Sequence, residues 1–84
     1  MSYRLLYGTQ AAKEIEKLSG HVLRRVLQKI SMLSEHPRPH GCEKLAGQGG
    51  WRLRVGGYRI LYEVDDAQRR VVIYRVQPRG GVYR

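Results

Sequence analysis

One alternating run, two helical periodicities and three further alternating runs, in that order, predict an α+β fold: β-α-α-β-β-β, with an αα-hairpin packed on one face of a mainly antiparallel four-stranded sheet. Two further observations support this. Gly56-Gly57 separates the alternating runs 51–55 and 58–64, and Gly-Gly there marks a two-residue hairpin, because both central positions tolerate positive φ. With 84 residues the chain supports one modest core, so residues 1–84 are expected to form a single domain.

The first strand is residues 3–7, where Tyr3, Leu5 and Tyr7 alternate with Arg4 and Leu6 until Gly8 and Thr9 end the pattern. Thr9 is placed to cap a short amphipathic helix with Ala11, Ile15 and Leu18 at i, i+4 and i+7, and Ser19-Gly20 stops it. The second helix sets Val22, Leu23, Val26, Leu27, Ile30 and Leu33 on one face and Arg24, Arg25, Gln28 and Lys29 on the other. Residues 35–50 hold two of the three prolines together with Gly41, Gly47, Gly49 and Gly50, show neither period, and read as a loop. Strands at 51–55, 58–64 and 70–76 close the chain, the last two joined by a turn at 65–69.

Charge narrows the class of partner. Sixteen Lys and Arg against seven Asp and Glu leave +9, a field that draws polyanions. From Trp51 onward there are eight Arg and no Lys, whereas the first fifty residues carry four of each. Arg presents a planar fork that matches phosphate bidentately, so the C-terminal half is the expected phosphate-facing half. The single cysteine, Cys42, makes no internal disulfide and reads as a small packed side chain. No apolar stretch suits a membrane helix or a signal peptide, and the cytoplasm is the expected location.

The hairpin register sorts the arginines. A two-residue turn at Gly56-Gly57 pairs Val55 with Tyr58, Arg54 with Arg59, Leu53 with Ile60, Arg52 with Leu61 and Trp51 with Tyr62. One face then carries Trp51, Leu53, Val55, Tyr58, Ile60 and Tyr62, which suits packing against the helices. The other sets Arg54 against Arg59, with Arg52 alongside. Like charges directly opposite destabilise a sheet, so an anion is expected there. In the last strand, placing Val72, Tyr74 and Val76 on the helix side sends Arg75, Gln77 and, if the strand runs that far, Arg79 to the arginine face. The bland alternative is a set of ordinary solvated charges.

At this point a family likeness emerges. The run Trp51-Arg52-Leu53-Arg54-Val55-Gly56-Gly57-Tyr58-Arg59-Ile60-Leu61-Tyr62-Glu63-Val64, then Val71-Val72-Ile73-Tyr74-Arg75-Val76-Gln77-Pro78-Arg79 and a terminal Val82-Tyr83-Arg84, resembles the RelE branch of the RelE/ParE toxins of type II toxin–antitoxin systems. The resemblance covers nearly the whole chain. It implies an endoribonuclease that cleaves messenger RNA in the ribosomal A site, the ribose 2′-hydroxyl attacking the adjacent phosphate without a metal or other cofactor. It further implies an acidic, RelB-like antitoxin and a toxin–antitoxin hetero-oligomer.

Carried over by position, Arg59 resembles the phosphate-binding arginine after the hairpin, Arg79 the arginine after the last strand and Tyr83 the C-terminal tyrosine. Arg52 and Arg54 fall at the basic strand positions that bind the RNA backbone, and Arg75 and Lys44 complete the expected RNA-binding set. The chemistry is consistent with these residue types: a cyclising transfer develops charge on phosphoryl oxygens, and fixed guanidinium groups stabilise it there. Arg stays protonated and is a poor base. Tyr83 suits proton transfer, because nearby cations would favour its phenolate, with base stacking as the other reading. The chain departs from the family pattern in having Pro78 before Arg79 and Gly80-Gly81 after it.

His36, His40, Cys42 and Glu43 fit no standard zinc spacing, and Pro37 and Pro39 hold the chain extended between the histidines, which argues against a metal site and against a histidine acid–base pair. Two other functions stay open: a ParE-like gyrase inhibitor of the same fold, and a non-enzymatic RNA or ribosome binder.

Overall fold

A computed structural model of the chain describes residues 2–47 and 49–78. The elements are β1 (Arg4–Tyr7), α1 (Thr9–Glu16), α2 (Gly20–Leu33), β2 (Glu43–Lys44), β3 (Trp51–Val55), β4 (Tyr58–Asp65) and β5 (Arg70–Pro78). They form one sheet in the order β1-β5-β4-β3-β2, parallel between β1 and β5 and antiparallel elsewhere. Both helices contribute to a core that lies on one face of the sheet.

The core is built from Ala11 of α1, Val26, Ile30 and Leu33 of α2, and Leu53, Val55, Ile60, Tyr62, Val71, Ile73 and Val76 of the sheet. Ile15 and Val22 pack against it as their helical spacing requires, and Leu18, expected in the first helix, joins them from the link after α1 ends at Glu16, while Leu27 at the margin of the α2 stripe stays 39% exposed. Tyr62 is the largest side chain fully enclosed; its hydroxyl reaches the edge of the core and donates to the Pro37 carbonyl at 2.8 Å. Burial above all pushes this phenol well above its ordinary pKa.

The β3–β4 register is the one the Gly56-Gly57 turn dictates, from Val55 opposite Tyr58 to Trp51 opposite Tyr62. Elsewhere three expectations need correction. The sheet has five strands, because β2 pairs Glu43 with Arg52 and Lys44 with Trp51 inside the segment read as loop. Two residues are too few to show alternation; the pairing follows from the Leu45 N–H donating to the Gly50 carbonyl at 3.0 Å, which folds the chain back onto β3.

In β5, Val71 and Ile73 face the helices while Val72 and Tyr74 do not. A bulge explains this: Leu61 lies opposite Arg75 but Tyr62 lies opposite Ile73, so Tyr74 is the extra residue and the period-two count restarts there. Val76 thus reaches the core as expected, by a different count. Finally, Thr9 is the first residue of α1 and Gly8 is its cap, in extended conformation and without a side-chain hydrogen bond.

Candidate nucleic-acid interface

The helix-free face of the sheet presents its side chains in rows. Arg54 of β3, Arg59 of β4 and Gln77 of β5 stand opposite one another across three strands. The adjacent row holds Glu43, Arg52, Leu61 and Arg75. β4 is the middle strand of the five, which places Arg59 near the centre of this face, where it is half-buried beside the exposed Arg54.

The four arginines differ in what holds them. Arg52 donates through Nε to Glu43 Oε1 at 3.1 Å and pairs with the same oxygen through a second guanidinium nitrogen. The Arg52 hydrogen bonds and charge, helped by the field of Arg54, hold the Glu43 carboxyl below its usual range. Arg75 donates to Glu14 of α1 from Nε at 3.0 Å and from a second nitrogen at 2.9 Å. Arg54 and Arg59 make no ion pair among the described residues, and the buried Nε of Arg59 has no hydrogen-bond partner there. Two uncompensated guanidinium groups therefore sit directly opposite each other, an arrangement suited to an anion with several acceptor oxygens.

Of the RNA-binding residues expected from the sequence, Arg52, Arg54 and Arg75 come together on this face, and with them Arg59, expected on the scissile phosphate. Lys44 does not join them. It stands opposite Trp51, on the helix side, with Nζ 5.7 Å from the indole centroid and Arg38 Cζ 5.6 Å from the same ring. β2 is antiparallel to β3, so the parity of Trp51 decides the side on which Lys44 falls. Arg79 and Tyr83 lie outside the described residues; the last described residue, Pro78, stands opposite Tyr58 at the end of β5, next to the pairing of Arg59 with Gln77.

Of the two acidic partners of the site, Glu14 is not singled out by the sequence, and Glu43 is weighed there only as a metal ligand, not as a partner of Arg52. Glu43 becomes findable only once β2 is known, and Glu14 is 61 residues from Arg75. At the far end of the same face Glu63 approaches the Tyr74 hydroxyl, and burial followed by the Glu63 charge raises the Tyr74 pKa. Among the described residues no three His, Cys, Asp or Glu side chains are grouped to hold a metal ion, and no helix is long and apolar enough to cross a membrane.

Comparison with known proteins agrees with the fold. A family model described as the ParE toxin of the type II toxin–antitoxin system, parDE, matches residues 5–83. Toxin RelG of Mycobacterium tuberculosis is 35% identical over 88 aligned positions that cover 100% of this chain and 99% of that protein. The mRNA interferase toxin RelE of Escherichia coli is 34% identical over 77 positions, 88% of this chain and 78% of that one. Among solved structures, the RelBE2 toxin–antitoxin complex of M. tuberculosis superposes with a TM-score of 0.81 at 32% identity, over 94% of this chain and 100% of the other. The archaeal RelE–RelB complex of Pyrococcus horikoshii gives 0.80 at 28% identity, over 95% and 98%. The chain accordingly belongs to the ParE/RelE family of toxins of type II toxin–antitoxin systems, with its similar relatives on the RelE side.

Proposed function

We propose that this toxin is a metal-independent endoribonuclease that cleaves messenger RNA in the ribosomal A site. The observation that carries the proposal is the Arg54–Arg59 pair, without an ion pair among the described residues, on the helix-free face of the sheet. In the reaction the ribose 2′-oxygen bonds to the adjacent phosphorus and loses its proton, and the bond to the 5′-oxygen breaks. The products are a 2′,3′-cyclic phosphate and a 5′-hydroxyl, with one proton taken up by the leaving oxygen. Negative charge rises on the non-bridging oxygens, and Arg59, assisted by Arg79, is assigned to them. Arg52 and Arg54 hold the RNA backbone, Arg75 lies at the margin, and Tyr83 carries a proton or stacks on a base. The E. coli relative bears the name mRNA interferase, which supports this reading.

An acidic antitoxin is the expected inhibitor. The RelE proteins of P. horikoshii and M. tuberculosis are found in complexes with their antitoxins, and a net charge of +9 favours an acidic segment that folds on binding.

The test is primer extension on a message in a reconstituted translation mixture. Wild-type protein should give new 5′ ends that carry hydroxyl groups and require ribosomes. Arg59→Ala should lower the rate by about 10²- to 10³-fold, the loss typical of removing one oxyanion-stabilising donor. Intact message at ribosome-saturating concentrations would refute the nuclease assignment. Because the matching family model is named for ParE, inhibition of gyrase supercoiling would then be measured next.

A further inference from the structure

A sheet packed on one face ordinarily turns polar side chains to solvent on the other. The helix-free face departs from this. Leu5, Ile60 and Val71 face the core, so by alternation Leu6 of β1, Leu61 of β4 and Val72 of β5 point the other way. All three are half-buried, and none belongs to the core or to the residues packed against it. The bulge residue Tyr74 joins them from β5. A Cβ added to Gly50, the residue before β3, would lie 3.2 Å from the Tyr74 hydroxyl and 3.5 Å from Glu63 Cγ. Glu63 shares the parity of Leu61 and hence the helix-free face. The Tyr74 ring therefore crosses β4 on that face, from β5 to the entry of β3. It is half-buried, as a ring laid on a strand is when its outer face stays open.

Charge divides this face along the strands. Arg54 and Arg59 stand at one end and Arg4, opposite Arg70, at the other; Arg4, like Arg54 and Arg59, makes no ion pair among the described residues. Between the two ends lie Leu61, the Tyr74 ring and the exposed Glu63, with Leu61 and Glu63 two and four residues from Arg59, roughly 7 and 14 Å along β4. A carboxylate repels phosphate but accepts the amino and imino hydrogens of a base edge, and an aromatic ring stacks on any base. The ends suit phosphates and the middle suits bases. An acidic peptide would meet Glu63, and an apolar one would cover three arginines without pairing them. Single-stranded RNA satisfies both parts.

We infer that Tyr74 is a base-stacking residue, seating a nucleobase of single-stranded RNA whose backbone is held by Arg54 and Arg59. The inference rests on the reading of this face as an RNA interface, and it does not require that the RNA be cleaved. The bulge is what makes the seat: without the extra residue, strict alternation would turn Tyr74 away from Arg75 and toward the helices.

The experiment titrates the full-length toxin, without ribosomes, into two labelled probes followed by fluorescence anisotropy: a short unstructured RNA and a ribose-phosphate strand of the same length that lacks bases. Wild type, Tyr74→Phe, Tyr74→Leu and Tyr74→Ala are compared, each shown to be folded by circular dichroism. Tyr74→Leu keeps apolar bulk on the sheet but has no ring, so it separates stacking from folding. Tyr74→Leu and Tyr74→Ala should bind the RNA about 5- to 150-fold more weakly, the range for removing one aromatic platform, while Tyr74→Phe binds like wild type. None should change binding to the base-free strand or the salt slope, because no phosphate contact is lost. Wild-type binding no tighter to RNA than to the base-free strand, RNA binding by Tyr74→Leu equal to wild type, a Tyr74→Phe loss as large as that of Tyr74→Ala, or an equal loss on both probes would overturn the inference. Cleavage on programmed ribosomes is measured alongside. If wild type leaves message intact while RNA binding depends on the ring, the nuclease reading falls and the base seat stands; if wild type cleaves and Tyr74→Leu binds RNA unchanged, the reverse holds.

Discussion

Arg54 and Arg59 face each other across the most locally determined pairing in the sheet, and that pairing carries a conflict. Directly opposed like charges destabilise a β-ladder, by roughly 0.2–1 kcal/mol. Arg54→Thr, which replaces the exposed cation with a β-branched residue that favours strands, is therefore expected to raise the urea midpoint while weakening RNA binding. A variant both less stable and weaker in binding would contradict this. Lys44 supplies the control. It stacks on Trp51 on the opposite side, so Lys44→Ala should leave the salt dependence of RNA binding unchanged, whereas Arg54→Ala should reduce its log–log slope by about 1. Equal effects from the two would place Lys44 in the interface after all. The contrast also shows how far the site was legible from residues alone. The two-residue Gly56-Gly57 turn places Arg54 and Arg59, whereas the side taken by Lys44 depends on a strand too short to leave a pattern.

At the scale of the elements, the same division between local and distant causes recurs. The αα-hairpin and the β3–β4 ribbon are written in periodicity and turn chemistry, and both form as expected. β5 departs from strict alternation in its first half because Tyr74 bulges, and a bulge carries no sequence mark there beyond the broken parity itself. β2 depends on Gly50, at φ +94, where an added Cβ would stand 2.9 Å from the Tyr62 carbonyl oxygen and 3.2 Å from the Tyr74 hydroxyl. Backbone cannot yield as a flexible side chain does. Gly50→Ala is accordingly expected to lower stability by about 1–3 kcal/mol, the usual range for a strained backbone site, in urea unfolding followed by circular dichroism. Gly41→Ala, where φ is +96 but nothing lies within 4 Å, should cost less. Equal losses at the two positions would mean that strain alone, and not the close approach to β4, governs Gly50.

Over the whole molecule the acidic residues are few, and four of the seven sit at joints. Glu14 ties α1 to β5; Glu43 ties β2 to β3; Asp65 accepts the Gln68 N–H and pairs with Arg70 in the β4–β5 turn; Asp66 binds Arg38 and the Tyr3 hydroxyl. All four carboxyls lie below their usual range: Glu14 against the effect of burial, Glu43 through Arg52, Asp65 through the Gln68 N–H, and Asp66 through Arg38. A carboxyl whose folded pKa is depressed stabilises the fold above its unfolded pKa, and that contribution is lost as pH falls through the folded value, because the unfolded chain takes up protons first. Protonation has a second consequence here. Neutralising the seven acidic groups leaves the 16 Lys and Arg charges without opposition in a domain of 12.2 Å radius of gyration, so self-repulsion grows as the joints are lost. The urea midpoint should therefore be nearly flat from about pH 8 to 5 and fall steeply below about pH 4.5, where model carboxyls begin to protonate. Added salt should recover part of the acid loss, since it screens the net repulsion between exposed charges while leaving the protonated joints unmade. A midpoint that holds to about pH 3 would show that the four joints contribute little; one that salt restores completely would assign the whole effect to repulsion.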